Sequence, residues 1–551
     1  MRRPTYGIEY SWTSIPTVLD AGETYGGSVT LTNTGRLTWP SAPADGHPVE
    51  ICLFMDDALY AVLSLPNGDV KTGTSVTLPW AFRPPPTPGA HTLRIEAVHQ
   101  HVTWFAAQGA APLVVPLTVR AVEESATSRA MRRTLAHNLW HFLPTSGIHH
   151  GRDGRPFPLF VTRAKGCRLW DAEGQEFLDY TSGWGSTILG YADDRIQAAI
   201  GAHLDSAPLP PFPDPLEMEV SEMLAEDFPS AEMVVFGKNG SDVCTLAARF
   251  ARLVTGKRVI LSCGYHGWQD FALDYFTFDA SGIPDRPSRV LWKIRFNDRE
   301  DFLAHFARVK DDLAAVMIEP SGPYVGDEVG LAPDVDLEWL HLVTEAARGV
   351  GALVIFDEVI TGYRYKQNSV QVATGVTPDL TCLGKALASG MPLSALLGSA
   401  RLFHAAFRRT HYASTFKGEV YSLAAAKAAI AIYRREPVVD HVWQHGEALR
   451  AGINAACRDH GIPGSCTGPP FRLGLQFSPP TAYERRVMRT IYMQELLKAG
   501  VVTVTGIMLP NAAHDAGTLA RMLAAANDAL AAIADGRRRG ALERMLEIPL
   551  L

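Results

Sequence analysis

Three features that mark other classes of protein are missing from this sequence of 551 residues. No run of about 20 uncharged apolar residues occurs, so we expect no membrane-spanning helix and no membrane partner. The opening residues, MRRPTYGIEY, contain arginines but no apolar stretch, so we expect no secretory signal. Lysine and arginine number 51 against 58 acidic residues, and the net charge of −7 indicates no basic surface for nucleic acid.

Cysteine is also scarce and is not arranged in pairs. The seven cysteines are scattered along the chain without any CxxC motif. A disulfide framework or a thiolate metal site needs closely spaced pairs, so we expect neither, and we predict no bound metal. Unpaired thiols are typical of reducing compartments, and we therefore expect a cytoplasmic protein.

The first 120 residues differ from the rest of the chain. They contain short β-prone runs separated by turn signals such as Asn67-Gly68, a pattern that predicts an all-β antiparallel sandwich and resembles immunoglobulin-like modules. The runs are VTLTNTG (29–35), VEICLF (49–54), SVTLPWAF (75–82), HTLRIEAV (91–98) and LVVPLTV (113–119). A charged, helix-prone stretch at 121–135 follows them.

From about residue 150 the pattern changes to alternating strands and helices. Apolar strands such as MVVFG (233–237) and ALVIFDEV (352–359) alternate with amphipathic stretches, which predicts an α/β unit with a mainly parallel, covered sheet. A chain this long needs several cores. We therefore divide it into a sandwich (1–120), a linker with the first part of a small domain (121–192), a large domain (193–435) and the remainder of the small domain (436–551).

Lys385 is the only charged side chain between residues 380 and 399. Burial of an ammonium lowers its pKa, and a lysine with a lowered pKa is a good nucleophile toward a carbonyl group. The alternative is a lysine at the rim of a helix with its charge in solvent.

Asp357 ends the apolar run VIFD, at the carboxyl end of a predicted parallel strand, where ligands bind in such sheets. A buried carboxylate there needs a cationic partner, and a protonated ring nitrogen is one. The alternative is an aspartate that caps the next helix.

Two loops contain further candidates. FGKNGSD (236–242) joins a strand to a helix, where backbone N–H groups at Gly240 and Ser241 would bind phosphate, although serine and aspartate are also ordinary helix caps. CGYHGW (263–268) places Tyr265 and His266 after another strand, and an aromatic ring there can stack on a flat ligand or simply pack in the core.

The order of these features, namely phosphate turn, aromatic loop, Asp357 and then Lys385, resembles the class III aminotransferases, above all the subfamily of glutamate-1-semialdehyde aminomutase. The resemblance covers roughly residues 135–545. It includes the motifs GCRLWDAEGQEFLDYTSGWGSTILGY (166–191), KNGSD (238–242), YHGW (265–268), IFDEVITGYR (355–364), LGKALASGMPLSALLG (383–398) and STFKGEVYSLAAA (414–426).

The resemblance implies the fold-type I architecture, a large mainly parallel sheet domain with a small α+β domain, here preceded by the sandwich. It implies pyridoxal 5'-phosphate, which becomes pyridoxamine 5'-phosphate in the half-reaction, with Lys385 as its Schiff-base lysine and Asp357 on the pyridine nitrogen. The implied cofactor-binding residues also include Gly240, Ser241, Tyr265, His266, Val359 and Thr415, and Trp184 would lie near the substrate. Thr415 would reach the cofactor phosphate of a neighbouring subunit, which implies a homodimer.

Several positions depart from the family pattern. A small residue and a glutamate are usual where this chain has Asn239 and Asp242, and a small residue and an asparagine where it has Lys417 and Glu419. We therefore expect an altered rim around 417–419.

The arginine that binds the substrate carboxylate in the aminomutase has no clear match. Arg152, Arg155 and Arg163 lie in the corresponding segment, where each is also readily interpreted as a surface arginine. Glu319 matches a Glu-Pro of the family, which we interpret as structural.

The features support three hypotheses of function. The first is an aminotransferase that moves an amino group from a small-molecule donor to an aldehyde or ketone of a specialised metabolite, with ping-pong kinetics. The second is an aminomutase that moves the group within one molecule. The third is a non-catalytic binding protein in which residues 1–120 are the active part. That module would contribute stability or dimer contacts, or it would recognise a partner such as a carrier protein.

Overall fold

The computed structural model describes most of the chain. The residues outside the description are 1–4, 13–17, 22–24, 41–47, 66–68, 83, 86, 100–101, 121–125, 138–148, 151–155, 158–159, 206–207, 270–271, 273–289, 326–329, 504–505 and 548–551. The Asn67-Gly68 turn signal, Arg152 and Arg155 therefore lie outside the described residues.

Two sheets pack face to face in the first 120 residues. The strands are β1 Ile8–Trp12, β2 Val18–Asp20, β3 Tyr25–Asn33, β4 Val49–Met55, β5 Ala58–Ser64, β6 Ser75–Phe82, β7 Gly89–His99, β8 Thr103–Trp104 and β9 Leu113–Arg120. One sheet has the order β1-β3-β6, and the other has the order β2-β9-β7-β4-β5 with β8 beside β7. Alternate residues of both sheets, such as Leu31 and Ile95, share one core around Trp39. The expected β-sandwich is confirmed, although β2 pairs with β9 in parallel rather than antiparallel.

The segment after the sandwich begins with a helix and then forms the edge of the small domain. Its elements are α1 Ala126–His137, β10 His149–His150, β11 Pro156–Phe157, β12 Val161–Lys165, β13 Arg168–Asp171, β14 Glu176–Asp179, α2 Ser182–Gly185 and α3 Asp194–Gly201. The N–H group of Thr127 donates to the Glu173 carboxylate, 2.8 Å away, which ties α1 to the turn between β13 and β14.

A seven-stranded sheet forms the centre of the large domain. The elements are α4 Pro215–Asp227, β15 Met233–Gly237, α5 Gly240–Thr255, β16 Val259–Cys263, β17 Leu291–Lys293, α6 Arg299–Val309, β18 Leu313–Ile318, β19 Tyr324–Val325, β20 Gly330–Leu331, α7 Leu337–Gly349, β21 Leu353–Glu358, α8 Val370–Thr374, β22 Leu380–Leu383, β23 Ser394–Gly398, α9 Ala400–Phe407 and α10 Val420–Arg435. The strand order is β15-β23-β22-β21-β18-β16-β17. Of these described strands, β23 alone runs in the direction opposite to the other six.

This sheet is buried on both faces, as a mainly parallel sheet must be. Every residue of β16, β18 and β22 is buried, and separate apolar clusters lie on opposite faces, one around Phe250 of α5 and another around Trp339 of α7. Because β16, β18, β21 and β22 are parallel, their carboxyl ends meet at one edge. The loops that follow them at this edge contain the predicted site residues Tyr265, His266, Val359 and Lys385.

The C-terminal elements complete the small domain. They are α11 Val438–Asp459, β24 Gly464–Thr467, β25 Leu473–Phe477, α12 Ala482–Lys498, β26 Val501–Val502, β27 Ile507–Met508 and α13 Ala516–Arg538. The short β26 pairs in parallel with β14, so segments from both sides of the large domain share one sheet. A single core unites them, including Tyr180 from the first segment and Tyr492 from the second. None of the described helices is both long and apolar enough to cross a membrane.

A glycine of α11 provides a test of the close packing between this helix and the turn at Pro470, and a glycine of α7 serves as the control. A Cβ atom on Gly446 of α11 would overlap the carbonyl oxygen of Pro470, whereas a Cβ atom on Gly349, at the end of α7, would meet nothing within 4 Å. We expect Gly446→Ala to lower the free energy of unfolding by about 1–3 kcal/mol, because overpacking forces the backbone apart. Gly349→Ala, the matched control, should raise it by about 0.5 kcal/mol.

Urea denaturation followed by circular dichroism measures both effects. An unchanged midpoint for Gly446→Ala would show that α11 and the Pro470 turn are not in contact.

Candidate active site

Asp357 lies at the end of β21 and is buried. Its Oδ2 atom is 2.7 Å from Nδ1 of His266 and accepts a bond from the Cys244 thiol at 3.4 Å. Its Oδ1 atom accepts the N–H group of Val359 at 3.1 Å. One carboxylate oxygen is therefore held by the imidazole and the thiol, while the other has one backbone bond and room for a further donor.

His266 is the residue that orients Asp357. Its side chain is buried, and its Nε2 atom has no hydrogen-bond partner among the described residues. A buried polar atom of this kind usually has a ligand or water partner. His266 was predicted to touch the cofactor, and the structure places it against Asp357.

Lys385 follows β22, the neighbour of β21 in the sheet. Its backbone adopts a left-handed conformation with φ of 47°, directly after the extended Gly384. Burial and, to a lesser extent, the charge of Arg472 lower the pKa of Lys385 to about 8, against the opposing effect of Glu319 and Asp357. The uncharged, nucleophilic form of the amine is therefore more populated near neutral pH than it is for an ordinary lysine.

The predicted phosphate turn opens α5 at Gly240. Asp242 accepts the N–H group of Asn239 at 2.9 Å, so this departure from the family pattern serves as a helix cap. A Cβ atom on Gly240 would lie 2.8 Å from Cγ1 of Val359, and one on Gly267 would overlap the Ser241 side chain. The turn is therefore enclosed by the aromatic loop on one side and Val359 on the other.

Val359 lies between two of the segments that were predicted to bind the cofactor. It is half-buried, and besides Gly240 it faces Gly384, where a Cβ atom would come within 3.3 Å of its side chain. Tyr265 is half-buried in the same loop as His266. The structure thus brings Gly240, Val359 and Lys385 together, with the Tyr265 loop beside them.

Thr415 is exposed in a turn at 415–418. Four residues later, Glu419 caps α10 and forms an ion pair at 2.9 Å with Lys238, which belongs to the phosphate turn. Glu419, expected at an altered rim, is therefore a helix cap, while Lys417 is exposed.

Trp184 lies in the short, strained element α2, and it lines the same cavity as Lys385. Ser182, Gly183 and Trp184 all have positive φ angles, and the Arg364 guanidinium donates to the carbonyl oxygen of Gly185 at 2.7 and 3.0 Å. Trp184 is 38% exposed and lines a small cavity. The described residues that line this cavity are Thr181, Trp184, Ile360, Lys385, Arg472, Ile507 and Leu509.

Arg472 was missed by the sequence analysis. Its guanidinium is buried at the cavity and lies 3.4 Å from Oε2 of Glu319. Glu319 thus pairs with an arginine of the small domain, which agrees with a structural role. Arg163, one of the three arginines that the sequence suggested as carboxylate ligands, lies on strand β12. Its guanidinium stacks on the ring of Trp170 at 4.3 Å.

Comparison with known proteins identifies the family. The family model described as aminotransferase class III matches residues 150–506. A glutamate-1-semialdehyde 2,1-aminomutase 2 of Bacillus cereus (strain AH187) is 32% identical over 394 residues, which cover 67% of this chain and 90% of the relative. The chain belongs to the class III aminotransferase family.

Other members of the family lie at similar distances. A 3-aminobutyryl-CoA aminotransferase of Cloacimonas acidaminovorans is 31% identical over 347 residues, covering 63% of this chain and 82% of the relative. The structure of the FumI protein of Sphingopyxis sp. MTA144 with its PLP is 27% identical, with a TM-score of 0.67 over 75% of this chain and 98% of that one. An omega-transaminase of Sphaerobacter thermophilus is 25% identical, with a TM-score of 0.65 and the same coverage.

The family and fold predictions are therefore confirmed, and this class III aminotransferase is a fold-type I enzyme that uses pyridoxal 5'-phosphate. Its own residues fit that cofactor. The cradle between Gly240 and Gly267 admits no additional side-chain atom, Asp357 has acceptor capacity left, and Lys385 provides the amine.

The lowered pKa of Lys385 yields a test on the protein stripped of cofactor. Since only the neutral amine attacks a carbonyl, the rate of pyridoxal 5'-phosphate capture should rise with pH and level off above about 8. An ordinary lysine, with a pKa of 10.5, would give a rate that still rises at pH 9.5.

Stopped-flow absorbance measures the capture. The Lys385→Arg variant is the control and should show no fast phase. A midpoint near that of an ordinary lysine would contradict the electrostatics described above.

Proposed function

We propose that this enzyme transfers an amino group from an amine donor to an aldehyde or ketone of a specialised metabolite, in two ping-pong half-reactions. The observation that supports this most directly is the placement of Lys385 and Asp357 at the ends of adjacent parallel strands. When bound, the cofactor supplies an electron sink for the charge left behind when the substrate loses its proton.

The residues of the chain would divide the work. The Lys385 amine takes the proton from the carbon that bears the substrate amine and later returns it, and a positioned base of this kind contributes about 10²–10⁴-fold. Asp357, held by His266, keeps the ring nitrogen of the cofactor protonated. Gly240 and Ser241 would bind the phosphate through the start of α5, Tyr265 and Val359 would cover the two ring faces, and Trp184 would contact the substrate.

The competing function is an aminomutase, because the similar proteins include members of both kinds. The two differ in whether nitrogen leaves its parent molecule. We therefore expect ¹⁵N from a labelled amine donor to appear in the product formed from a separate carbonyl acceptor, as measured by mass spectrometry. The pyridoxamine 5'-phosphate form, freed of donor, should also aminate that acceptor alone.

Label confined to its original molecule would refute the transaminase proposal. The non-catalytic alternative would be supported only if the protein with bound cofactor converted neither the amine nor the carbonyl compound.

We also propose that the enzyme is a homodimer with shared active sites. The three most exposed aromatic side chains among the described residues are Phe212 at 80%, Trp268 at 70% and Phe416 at 58%. Phe416 directly follows Thr415, and Trp268 ends the aromatic loop of the site. A second copy that covers these side chains would lie beside both active-site segments.

Complementation between inactive variants tests the shared site. Lys385→Ala removes the amine, and Thr415→Glu places a negative charge where the partner's phosphate would bind. Each homodimer should be nearly inactive, whereas mixed dimers should regain activity, because one of their two sites then has an intact Lys385 and an intact Thr415. No recovery in mixed dimers would show that Thr415 acts within its own subunit or has no role.

We further propose that the protein works in the cytoplasm, since all seven cysteines are free and buried. The division at residues 120, 192 and 435 remains our proposal for the domains. For the sandwich we favour a role in stability or dimer contacts over partner recognition.

A further inference from the structure

Cys244 is a buried polar side chain at the active site to which the proposed reaction has so far given no task. It lies on α5, one helical turn or about 6 Å beyond Gly240, the residue that opens this helix at the predicted phosphate turn. The residue is 1% exposed, and its thiol donates to Oδ2 of Asp357 at 3.4 Å. A thiol is a weak donor with a large sulfur atom, so a bond of this length is ordinary for it.

The face of α5 that contains this thiol is otherwise apolar. The buried residues of the helix are Val243, Cys244, Leu246, Ala247, Ala248, Phe250 and Ala251. Among them, Cys244 is the one whose side chain can donate a hydrogen bond. The helix therefore offers a single side-chain donor to the sheet beneath it, at the position that faces Asp357.

Asp357 is held by donors from separate segments of the chain. Its Oδ2 atom lies 2.7 Å from Nδ1 of His266, in the aromatic loop, and it also accepts the Cys244 thiol. Its Oδ1 atom accepts the N–H group of Val359 at 3.1 Å. A carboxylate offers about four lone-pair sites, two on each oxygen. Two side chains on Oδ2 therefore restrain the rotation of the carboxylate and leave Oδ1 as the oxygen with room for the ring nitrogen.

The thiol can serve as a donor because it stays protonated. Burial above all, together with the neighbouring Cys382 and Asp357, raises the pKa of the Cys244 thiol well above its ordinary value of 9.0. Cys382 lies opposite Asp357 in the pairing of β21 with β22, and burial raises the pKa of its thiol as well. A neutral donor stabilises the negative charge of the carboxylate without adding a charge of its own.

One helix thereby touches both ends of the cofactor site. The first turn of α5 contains Gly240 and Ser241, which we propose for the phosphate, and Cys244 in the next turn holds the aspartate that we propose for the ring nitrogen. A helix fixes the spacing between its turns. The bond from Cys244 therefore ties the position of Asp357 to the position of the phosphate turn.

We propose that Cys244 is a positioning residue whose thiol stabilises the ionised form of Asp357 and keeps its Oδ1 atom directed at the ring nitrogen of pyridoxal 5'-phosphate. With a donor on Oδ2, the proton between Oδ1 and the ring nitrogen is favoured on the nitrogen. Without that donor, the proton should move toward Asp357. This inference rests on the proposed role of Asp357, and it names a further residue that sets where the proton lies.

The position of that proton can be measured in the holoenzyme. The probe is pyridoxal 5'-phosphate labelled with ¹⁵N at the ring nitrogen, because its ¹⁵N chemical shift distinguishes a protonated ring from an unprotonated one. In Cys244→Ala the shift should move toward that of the unprotonated ring, and Cys244→Ser, which retains a donor, should restore the wild-type value. The dissociation constant of the cofactor should rise by about 3–10-fold in Cys244→Ala, the effect of one modest hydrogen bond.

Cys382→Ala is the matched control. It removes a sulfur atom from the same apolar cluster, whereas the bond to Asp357 comes from Cys244. The ¹⁵N shift of this variant should equal that of the wild type. If Cys382→Ala moves the shift as far as Cys244→Ala does, loss of packing explains the effect and the proposal is overturned. An unchanged shift in Cys244→Ala overturns it as well.

Infrared spectroscopy tests the bond in the wild-type holoenzyme, even if the alanine variants do not fold. A carboxylate is a stronger acceptor than a neutral group, so one S–H stretching component should lie at a lower frequency than those of the other cysteines. Cys167, whose thiol donates to the carbonyl of Ala513 at 3.3 Å, provides the internal comparison. Cys244→Ser should abolish the low-frequency component. Absence of such a component from the wild-type spectrum would contradict the proposal.

Asp357→Asn separates these outcomes from failure of the role proposed for Asp357. If Asp357→Asn leaves the ¹⁵N shift unchanged, the ring nitrogen does not depend on Asp357, and both proposals fail. If Asp357→Asn moves the shift but Cys244→Ala does not, Asp357 keeps its role and the inference about Cys244 alone is refuted. Neither result depends on whether nitrogen leaves its parent molecule, which the labelled amine donor tests separately.

Discussion

The active site depends on one arrangement, an amine and a carboxylate at the ends of two adjacent parallel strands in apolar surroundings. Asp357 and Lys385 are brought together by the pairing of β21 with β22, and neither needs a long loop to reach the other. Burial there would be costly for either charge alone. The same burial lowers the pKa of Lys385 toward neutrality, which favours the uncharged form of its amine.

A second layer of contacts keeps this pair in position. His266 and Cys244 hold one oxygen of Asp357, and glycines at positions 240 and 267 let a helix start, a loop and Val359 approach one another closely. Such approach leaves backbone N–H groups accessible to a phosphate. The wall opposite is built differently, since its arginine comes from the small domain and is positioned by contacts across the Pro469–Arg472 turn.

What could be predicted from the sequence depends on whether a feature is local or results from contacts between distant segments. The five β-prone runs of the sandwich correspond to β3, β4, β6, β7 and β9, because each is a short β-prone run set off by turn signals. The edge strand β5 was missed, and none of its residues is buried. The two-residue β26 was also missed, because its pairing with β14 joins segments that are far apart in sequence and leaves no periodic pattern.

By itself, the sequence determined the cofactor chemistry. A lone lysine in an apolar run, an aspartate that ends a strand and a glycine that opens a helix are local features, and a parallel sheet brings the ends of its strands to one edge. Only the tertiary structure decided which other residues line the cavity beside Lys385. Arg472 is one charge in the ordinary strand sequence PFRLGLQF, and nothing local distinguishes it from a surface arginine. Its burial beside Lys385 results from the packing of the small domain against the edge of the sheet. This is a contact between distant segments, and no periodic pattern in the sequence predicts it.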